Sequence, residues 1–387
     1  MTNDKFLPPQ QNALLTRLLQ SISYVVMYFV YQIKFKVSDR DIARLQDLED
    51  KRVIYFPNHS NLDDGLVMFL LSARLGQLLY YVVAREAFEG AIGKLMQKVG
   101  AYSIRRGVGD RASIVQTLKV IQQPKCKLVI FPEGGCSYQN DTVIPFRTGG
   151  IELAFKAMTK LKQQGIVPDV YFVPVSIQYH YKGKGDRLIA QSLARLEAAL
   201  SIEPEDDFYL RLRNIGDRVL TNLETEYDIN ITPQSDWNQR IAALKQQLLK
   251  YCEQQLDIDP ATQLPNRERV YRVQSILREL NPSDSKSIDY QHLNLTTVRL
   301  LNFDAIYDGY VAERPTTERF LATLDRLERE VFQIDRPKPK GMRLVEVKIG
   351  TAIDAQAYWQ SKNSDPPNII QDLTYTIQQQ VQANLNL

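Results

Sequence analysis

The segment FPNHSNLDDGL, residues 56–66, places His59 four and five positions before two adjacent carboxylates, Asp63 and Asp64. An imidazole, with an ordinary pKa of about 6.5, takes a proton from a hydroxyl near neutral pH. A carboxylate on its second ring nitrogen fixes the tautomer and stabilises the imidazolium that forms. The pair therefore suits activation of a hydroxyl that a substrate brings. On one continuous helix the i,i+4 rule would select Asp63 and leave Asp64 roughly 140° around the axis. Pro57, Asn58 and the apolar run before them instead predict a turn at His59, with Ser60 or Asn61 capping a helix from about Leu62. Helical spacing does not choose between the two aspartates.

Other residues of chemical interest lie downstream. Arg106, in GAYSIRR, has the planar fork that binds a phosphate in bidentate fashion. In FPEGG, Glu133 suits holding an acceptor hydroxyl or orienting Arg106. Gly134 and Gly135 let backbone amides approach an oxyanion. Arg147, in PFRTGG, is a second cation near that loop. The chain has no GxSxG elbow, and Ser60 is too close in sequence to His59 for the two side chains to face each other, which argues against a serine hydrolase. Cys136 has no second histidine nearby in sequence and reads as a small buried thiol. His180 and His292 read as structural histidines. No HExxH or CxxC occurs, so neither a metal nor an organic cofactor is implied.

These residues fall at the ends of short apolar runs. Residues 52–56, 78–84, 101–104, 127–131 and 170–177 are apolar on successive positions, as in strands buried on both faces. Helical patterns at about 62–75, 88–99, 109–123 and 149–164 alternate with them. The fold class is thus α/β, with a central, mostly parallel sheet flanked by helices and the candidate residues in its strand-to-helix turns. From 187 to 336 strands disappear and helical spacing takes over, broken at Pro204, Pro233, Pro260, Pro265, Pro282 and Pro315. Residues 343–353 read as a strand that cannot stand alone and so returns to the first sheet, followed by a last helix at about 368–385. The organisation expected is an α/β domain over 41–186 and 337–387, with a helical insertion over 187–336.

Residues 1–40 read as a separate membrane-interface helix. Their apolar core, ISYVVMYFVYQI, has 12 residues, short of the roughly 20 that cross a bilayer. Its tyrosines and the flanking Arg17, Lys34 and Lys36 suit a helix lying at headgroup level. The chain's 387 residues carry 48 Lys+Arg against 45 Asp+Glu, a net charge of +3, which argues against a nucleic-acid partner. Three cysteines, an odd number, fit a reducing compartment better than a disulfide framework. The location expected is the cytoplasmic face of a membrane, peripheral or monotopic.

In their order, these blocks resemble the glycerolipid acyltransferase family, which includes glycerol-3-phosphate and lysophosphatidic acid acyltransferases. Asn58, His59 and Asp64 match Asn-His-x4-Asp. Gly100, Ile104 and Arg106 match the second block, Phe131, Pro132, Glu133 and Gly134 the third, and Val173 and Pro174 the fourth. The resemblance selects Asp64 as the partner of His59. It implies acyl transfer from a thioester, of acyl-carrier protein or CoA, to a glycerolipid hydroxyl, most readily that of 1-acyl-glycerol-3-phosphate. Glycerol-3-phosphate and other lipid alcohols are alternative acceptors, and a catalytically idle lipid-binding scaffold is an alternative function. One departure bears on the acceptor: the third block continues as GGCS, with Cys136 where the family commonly has an arginine that holds the acceptor's phosphate. Arg147 is the candidate to supply that charge.

Overall fold

The structure is a computed structural model, and it describes residues 5–229, 236–280, 289–304, 306–361 and 366–386. Pro233 and Pro282, and the extreme ends of the chain, lie outside the described residues. The chain divides into an α/β unit, comprising residues 5–105, 109–180 and 343–387, and a helical unit, comprising residues 181–342 together with 106–108.

The α/β unit begins with α1 (Ala13–Phe29), β1 (Ile33–Val37) and α2 (Asp39–Gln46). Alternation follows through β2 (Arg52–Pro57), α3 (Asp64–Leu75), β3 (Tyr80–Ala84), α4 (Gly90–Lys98), β4 (Ala101–Ile104), α5 (Arg111–Gln122), β5 (Lys127–Val129), α6 (Gly149–Gln163) and β6 (Val170–Tyr181). The helical unit carries α7 (Gly185–Leu200), α8 (Phe208–Glu226), α9 (Trp237–Gln255), α10 (Asn266–Glu279), α11 (Tyr290–Phe303) and α12 (Thr317–Val331). The chain then returns to the sheet with β7 (Arg343–Ile349) and β8 (Ile353–Asp354) and ends in α13 (Ala355–Ser361) and α14 (Pro366–Leu385).

Among the described residues the strands form one sheet in the order β1-β7-β6-β2-β5-β3-β4, with β8 antiparallel to the amino-terminal end of β6. The pairs β1/β7, β6/β2, β2/β5, β5/β3 and β3/β4 are all parallel. The central strands β2 and β5 are buried on both faces, and β2 shows why its sequence is apolar without alternation. Val53 and Tyr55 enter the core that holds Val67, Leu70 and Leu71 of α3. Ile54 and Phe56 enter the opposite core, with Ile151 and Ala154 of α6 and Leu373 of α14. The returning strand joins the first sheet, as expected, and as β7 it lies between β1 and β6.

The N-terminal run departs from its reading as a single apolar helix. Helix α1 stops at Phe29, Gln32 takes a left-handed backbone (φ 53°), and Ile33–Val37 form an edge strand in register with Arg343–Val347. Alternation of Ile33, Phe35 and Val37 with Lys34 and Lys36 explains the strand, and lysines on an edge discourage pairing with another chain. Helix α1 also buries the opposite of what its composition suggests. Thr16, Gln20, Ser23 and Met27 face inward, and Gln20 Nε2 donates to Ser72 Oγ (2.9 Å) and to the Gln77 carbonyl (2.8 Å). Leu14, Leu18, Val25 and Phe29 are 85%, 61%, 60% and 75% exposed. Among the described residues no helix is long and apolar enough to cross a membrane.

The helical unit has its own core, including Leu193, Leu196, Ile215, Leu244, Leu248 and Leu324. Side-chain caps set its helix starts: Asp207 accepts from Leu210 N–H, Asp236 forms a capping box with Gln239, and Thr316 accepts from Arg319 N–H. Pro204, Pro260 and Pro315 fall between these helices, and Pro265 caps α10. His292, read as structural, stacks on Tyr227 with ring centroids 5.4 Å apart and meets Tyr251 edge-on.

Candidate active site

The parallel strands β2, β5 and β6 bring their carboxyl ends to one edge of the sheet, where α/β folds bind ligands. His59 lies two residues past β2. Asn58 makes the departure from the sheet possible. Its side-chain amide donates to the Ile177 carbonyl (3.0 Å) and accepts from Ile177 N–H (2.7 Å), so β6 keeps its hydrogen bonds where the main chain of β2 turns away.

The third-block loop holds the turn at His59. Buried Glu133 accepts the His59 N–H at 2.7 Å through Oε1, while its Oε2 accepts Ile144 N–H at 3.4 Å. The His59 carbonyl accepts from Ser137 N–H (2.7 Å) and Ser137 Oγ (3.2 Å). Phe131 packs against the imidazole, with ring centroids 4.6 Å apart. Sequence reasoning assigned Glu133 to an acceptor hydroxyl or to Arg106. The bonds described here tie it to the His59 backbone, 74 residues away.

His59 Nδ1 lies 3.0 Å from Asp64 Oδ2, and the Asp64 side chain is fully buried. A carboxylate only accepts, so Nδ1 carries the proton of neutral His59 and the lone pair resides on Nε2. Asp64 accepts two further hydrogen bonds, from Asn61 N–H to Oδ2 (2.8 Å) and from Tyr179 Oη–H to Oδ1 (2.6 Å). Burial and the adjacent carboxylate raise the Tyr179 phenol well above its ordinary pKa, so Tyr179 stays a donor.

Helix α3 starts at Asp64, two residues after the start expected at Leu62. Asn61 caps the preceding turn, its Oδ1 accepting Asp63 N–H at 3.0 Å. Asp63 is buried and bonds Arg343 of β7, Oδ2 to Nη2 at 2.9 Å. The two aspartates thus point to different partners.

Gly134 has φ +70°, and a Cβ there would collide with the Arg147 guanidinium. The glycine therefore lets Arg147 lie flat against the loop, anchored by Arg147 N–H to the Pro132 carbonyl at 2.9 Å. The Gly134 N–H closes a turn onto the Phe131 carbonyl (3.2 Å), which commits the amide expected to face an oxyanion. Gly135 and the half-buried Cys136 continue the same loop.

Six of the sequence-derived candidates, His59, Asp64, Glu133, Gly134, Gly135 and Arg147, thus share one region of the α/β unit. Arg106 groups with the helical unit. Its guanidinium carbon lies 4.0 Å above the Tyr271 ring, Nη1 donates to Tyr271 Oη at 2.9 Å, and Gly107 (φ +76°) has no room for a Cβ against the Tyr271–Arg272 backbone. Sequence reasoning missed Tyr179, Asn58 as a strand mimic, Ser137 and Tyr271. Only the fourth block pointed toward Tyr179, through the strand that carries it.

A mostly parallel α/β sheet with a histidine–carboxylate pair past a central strand defines the class: an α/β protein with its candidate site at the carboxyl ends of the strands. Residues 34–178 match the family model described as Acyltransferase, which marks this segment as an acyltransferase domain. A search of curated proteins finds no match. The general activity is acyl transfer.

Proposed function

We propose that the protein transfers an acyl chain from a thioester, of acyl-carrier protein or CoA, to a hydroxyl of a glycerolipid precursor, with 1-acyl-glycerol-3-phosphate as the leading acceptor. The observation that carries this reading is the His59–Asp64 pair, whose Nδ1 is tied to a buried carboxylate and whose Nε2 is left to act as base. Nε2 takes the proton of the acceptor hydroxyl as its oxygen attacks the thioester carbonyl. The tetrahedral intermediate collapses by breaking the C–S bond, and the leaving thiolate takes the proton from the imidazolium. Asp64 stabilises that imidazolium, and Glu133 and Ser137 hold its backbone. Arg147 stands in for the third-block arginine that Cys136 replaces and holds the acceptor's phosphate. The test is an acceptor panel offering lysophosphatidic acid, glycerol-3-phosphate and an unphosphorylated monoacylglycerol to the purified protein. Faster ester formation on the monoacylglycerol would remove the phosphorylated acceptor from this reading.

Peripheral attachment to a membrane belongs to the same proposal. Leu14, Leu18, Ile22, Val25 and Phe29 recur at spacings of four, four, three and four, one stripe of α1, opposite the polar residues it buries. An exposed apolar stripe backed by inward-facing polar side chains suits a lipid surface, with Arg17, Lys34 and Lys36 at headgroup level. Leu18→Glu with Val25→Glu is expected to abolish co-sedimentation with anionic phospholipid vesicles while leaving the circular dichroism spectrum unchanged. Undiminished vesicle binding by the double variant, or self-association of wild type that the variant abolishes, would contradict it.

A further inference from the structure

The catalytic histidine and its carboxylate do not stand alone, and Tyr179 is the group that neither sequence spacing nor the proposed mechanism uses. Asp64 is a fully buried carboxylate with two oxygens in different surroundings. Oδ2 meets His59 Nδ1 and Asn61 N–H; Oδ1 meets the Tyr179 hydroxyl at 2.6 Å. Without a donor on Oδ1 the carboxylate would hold one buried, unsatisfied oxygen, and only the two bonds at Oδ2 would resist its rotation about the Cβ–Cγ bond.

The tyrosine is itself held on both sides of its backbone. Asn140 Nδ2 donates to the Tyr179 carbonyl and Asn140 Oδ1 accepts Tyr179 N–H, each at 2.8 Å. The arrangement repeats, one strand pair of residues further on, what Asn58 does for Ile177. Arg343, bonded to Asp63, lies 5.4 Å from the Tyr179 ring centroid. The phenol is therefore a buried donor fixed by strand β6 and aimed at the far oxygen of the carboxylate.

We infer that Tyr179 is a positioning residue for acyl transfer: its hydroxyl locks Asp64 so that Oδ2 faces His59 Nδ1, and it tempers the charge that Asp64 presents to the imidazolium. This rests on the reading of His59 as the base. The charged and titratable groups around the relay are Asp64 on α3, Glu133 at the His59 backbone, Cys136, and the Arg343–Asp63 pair beside Tyr179. Removing the hydroxyl leaves a more concentrated negative charge on Asp64, which favours imidazolium. The acid limb of the pH–rate profile then moves to higher pH.

Tyr179→Phe tests this. The expected result is a fall in kcat of about tenfold, the scale of a hydrogen bond to a charged group, with KM for both substrates unchanged. The acid limb of kcat shifts upward in pH. In a double-mutant cycle, Tyr179→Phe costs less on Asp64→Asn than on wild type. A folded Tyr179→Phe with wild-type kcat and an unmoved limb would overturn the inference, as would full additivity with Asp64→Asn. Should Tyr179→Phe not accumulate as folded protein, Asn140→Ala, which loosens Tyr179 without touching Asp64, reads the same shift, and its absence counts against the inference equally. The two readings fail differently: a wild type with no acyl transfer removes the mechanism itself, whereas an active wild type indifferent to Tyr179→Phe removes only this role.

Discussion

Asp64→Asn is expected to lower kcat by about 10³–10⁴-fold, the loss seen when a histidine base is deprived of its carboxylate. The expectation follows from the three donors that converge on Asp64: His59 Nδ1, Asn61 N–H and Tyr179 Oη–H. An asparagine in this buried slot fits with its oxygen toward His59 and Asn61 and its amide nitrogen toward the Tyr179 hydroxyl, which then rotates to accept. Geometry survives, but the charge that stabilises the imidazolium is gone. Asp63→Asn touches none of these groups, so turnover by the folded fraction is expected to stay close to wild type. Steady-state kinetics on the two variants at equal folded concentration decide the matter. The reverse order of losses would mean that Asp63 is the partner and that the assignment is wrong.

The same Asp63→Asn substitution is expected to have its effect on stability. Asp63 and Arg343 form a buried pair at 2.9 Å, with 4% and 6% of their side chains exposed. Deleting one member leaves the other charge buried, a loss of about 3–5 kcal/mol. For a unit of this size that corresponds to roughly 10 °C in Tm. Asp63→Asn combined with Arg343→Met, which removes both charges, is expected to recover much of the loss, because a buried ion pair is often no more stabilising than well-packed apolar side chains. Thermal unfolding of the two variants followed by circular dichroism checks this. An unchanged Tm for Asp63→Asn would show that Arg343 is satisfied without it. The pair also ties the turn after β2 to β7, the strand that returns after the helical unit.

Much of this was legible in the sequence where the signal is local. The continuous apolar runs of β2, β5 and β6 announced strands buried on both faces, and the histidine past β2 pointed to the candidate site. What escaped involves partners distant in sequence. Tyr179 reaches Asp64 across 115 residues, and Glu133 reaches the His59 backbone across 74, so no spacing rule links either pair. Strand β1 was missed because the apolar run passes from helix to strand without a break in hydrophobicity, and only the alternation of Lys34 and Lys36 marks the change of period. Burial of Thr16, Gln20 and Ser23 was hidden for a related reason. Composition says how apolar a helix is, but the face it turns inward depends on the hydrogen-bond partners waiting there, such as Ser72 Oγ and the Gln77 carbonyl. Even at Glu133 and Gly134 the residue types were informative while their roles were not. A carboxylate and a positive-φ glycine serve the architecture of the His59 loop as readily as a ligand.

The central claim is that His59 is the base of an acyl transfer to a lipid hydroxyl. It is tested most directly by incubating purified wild type and His59→Ala with acyl-CoA or acyl-carrier-protein thioesters and the acceptor panel, and following thiol release together with ester formation. The expected result is thiol and ester in equal amounts from wild type, and a rate for His59→Ala lower by at least about 10²–10⁴-fold, the usual worth of a general base. Equal rates for the two proteins would contradict the mechanism, and no transfer by wild type to any acceptor would contradict the activity.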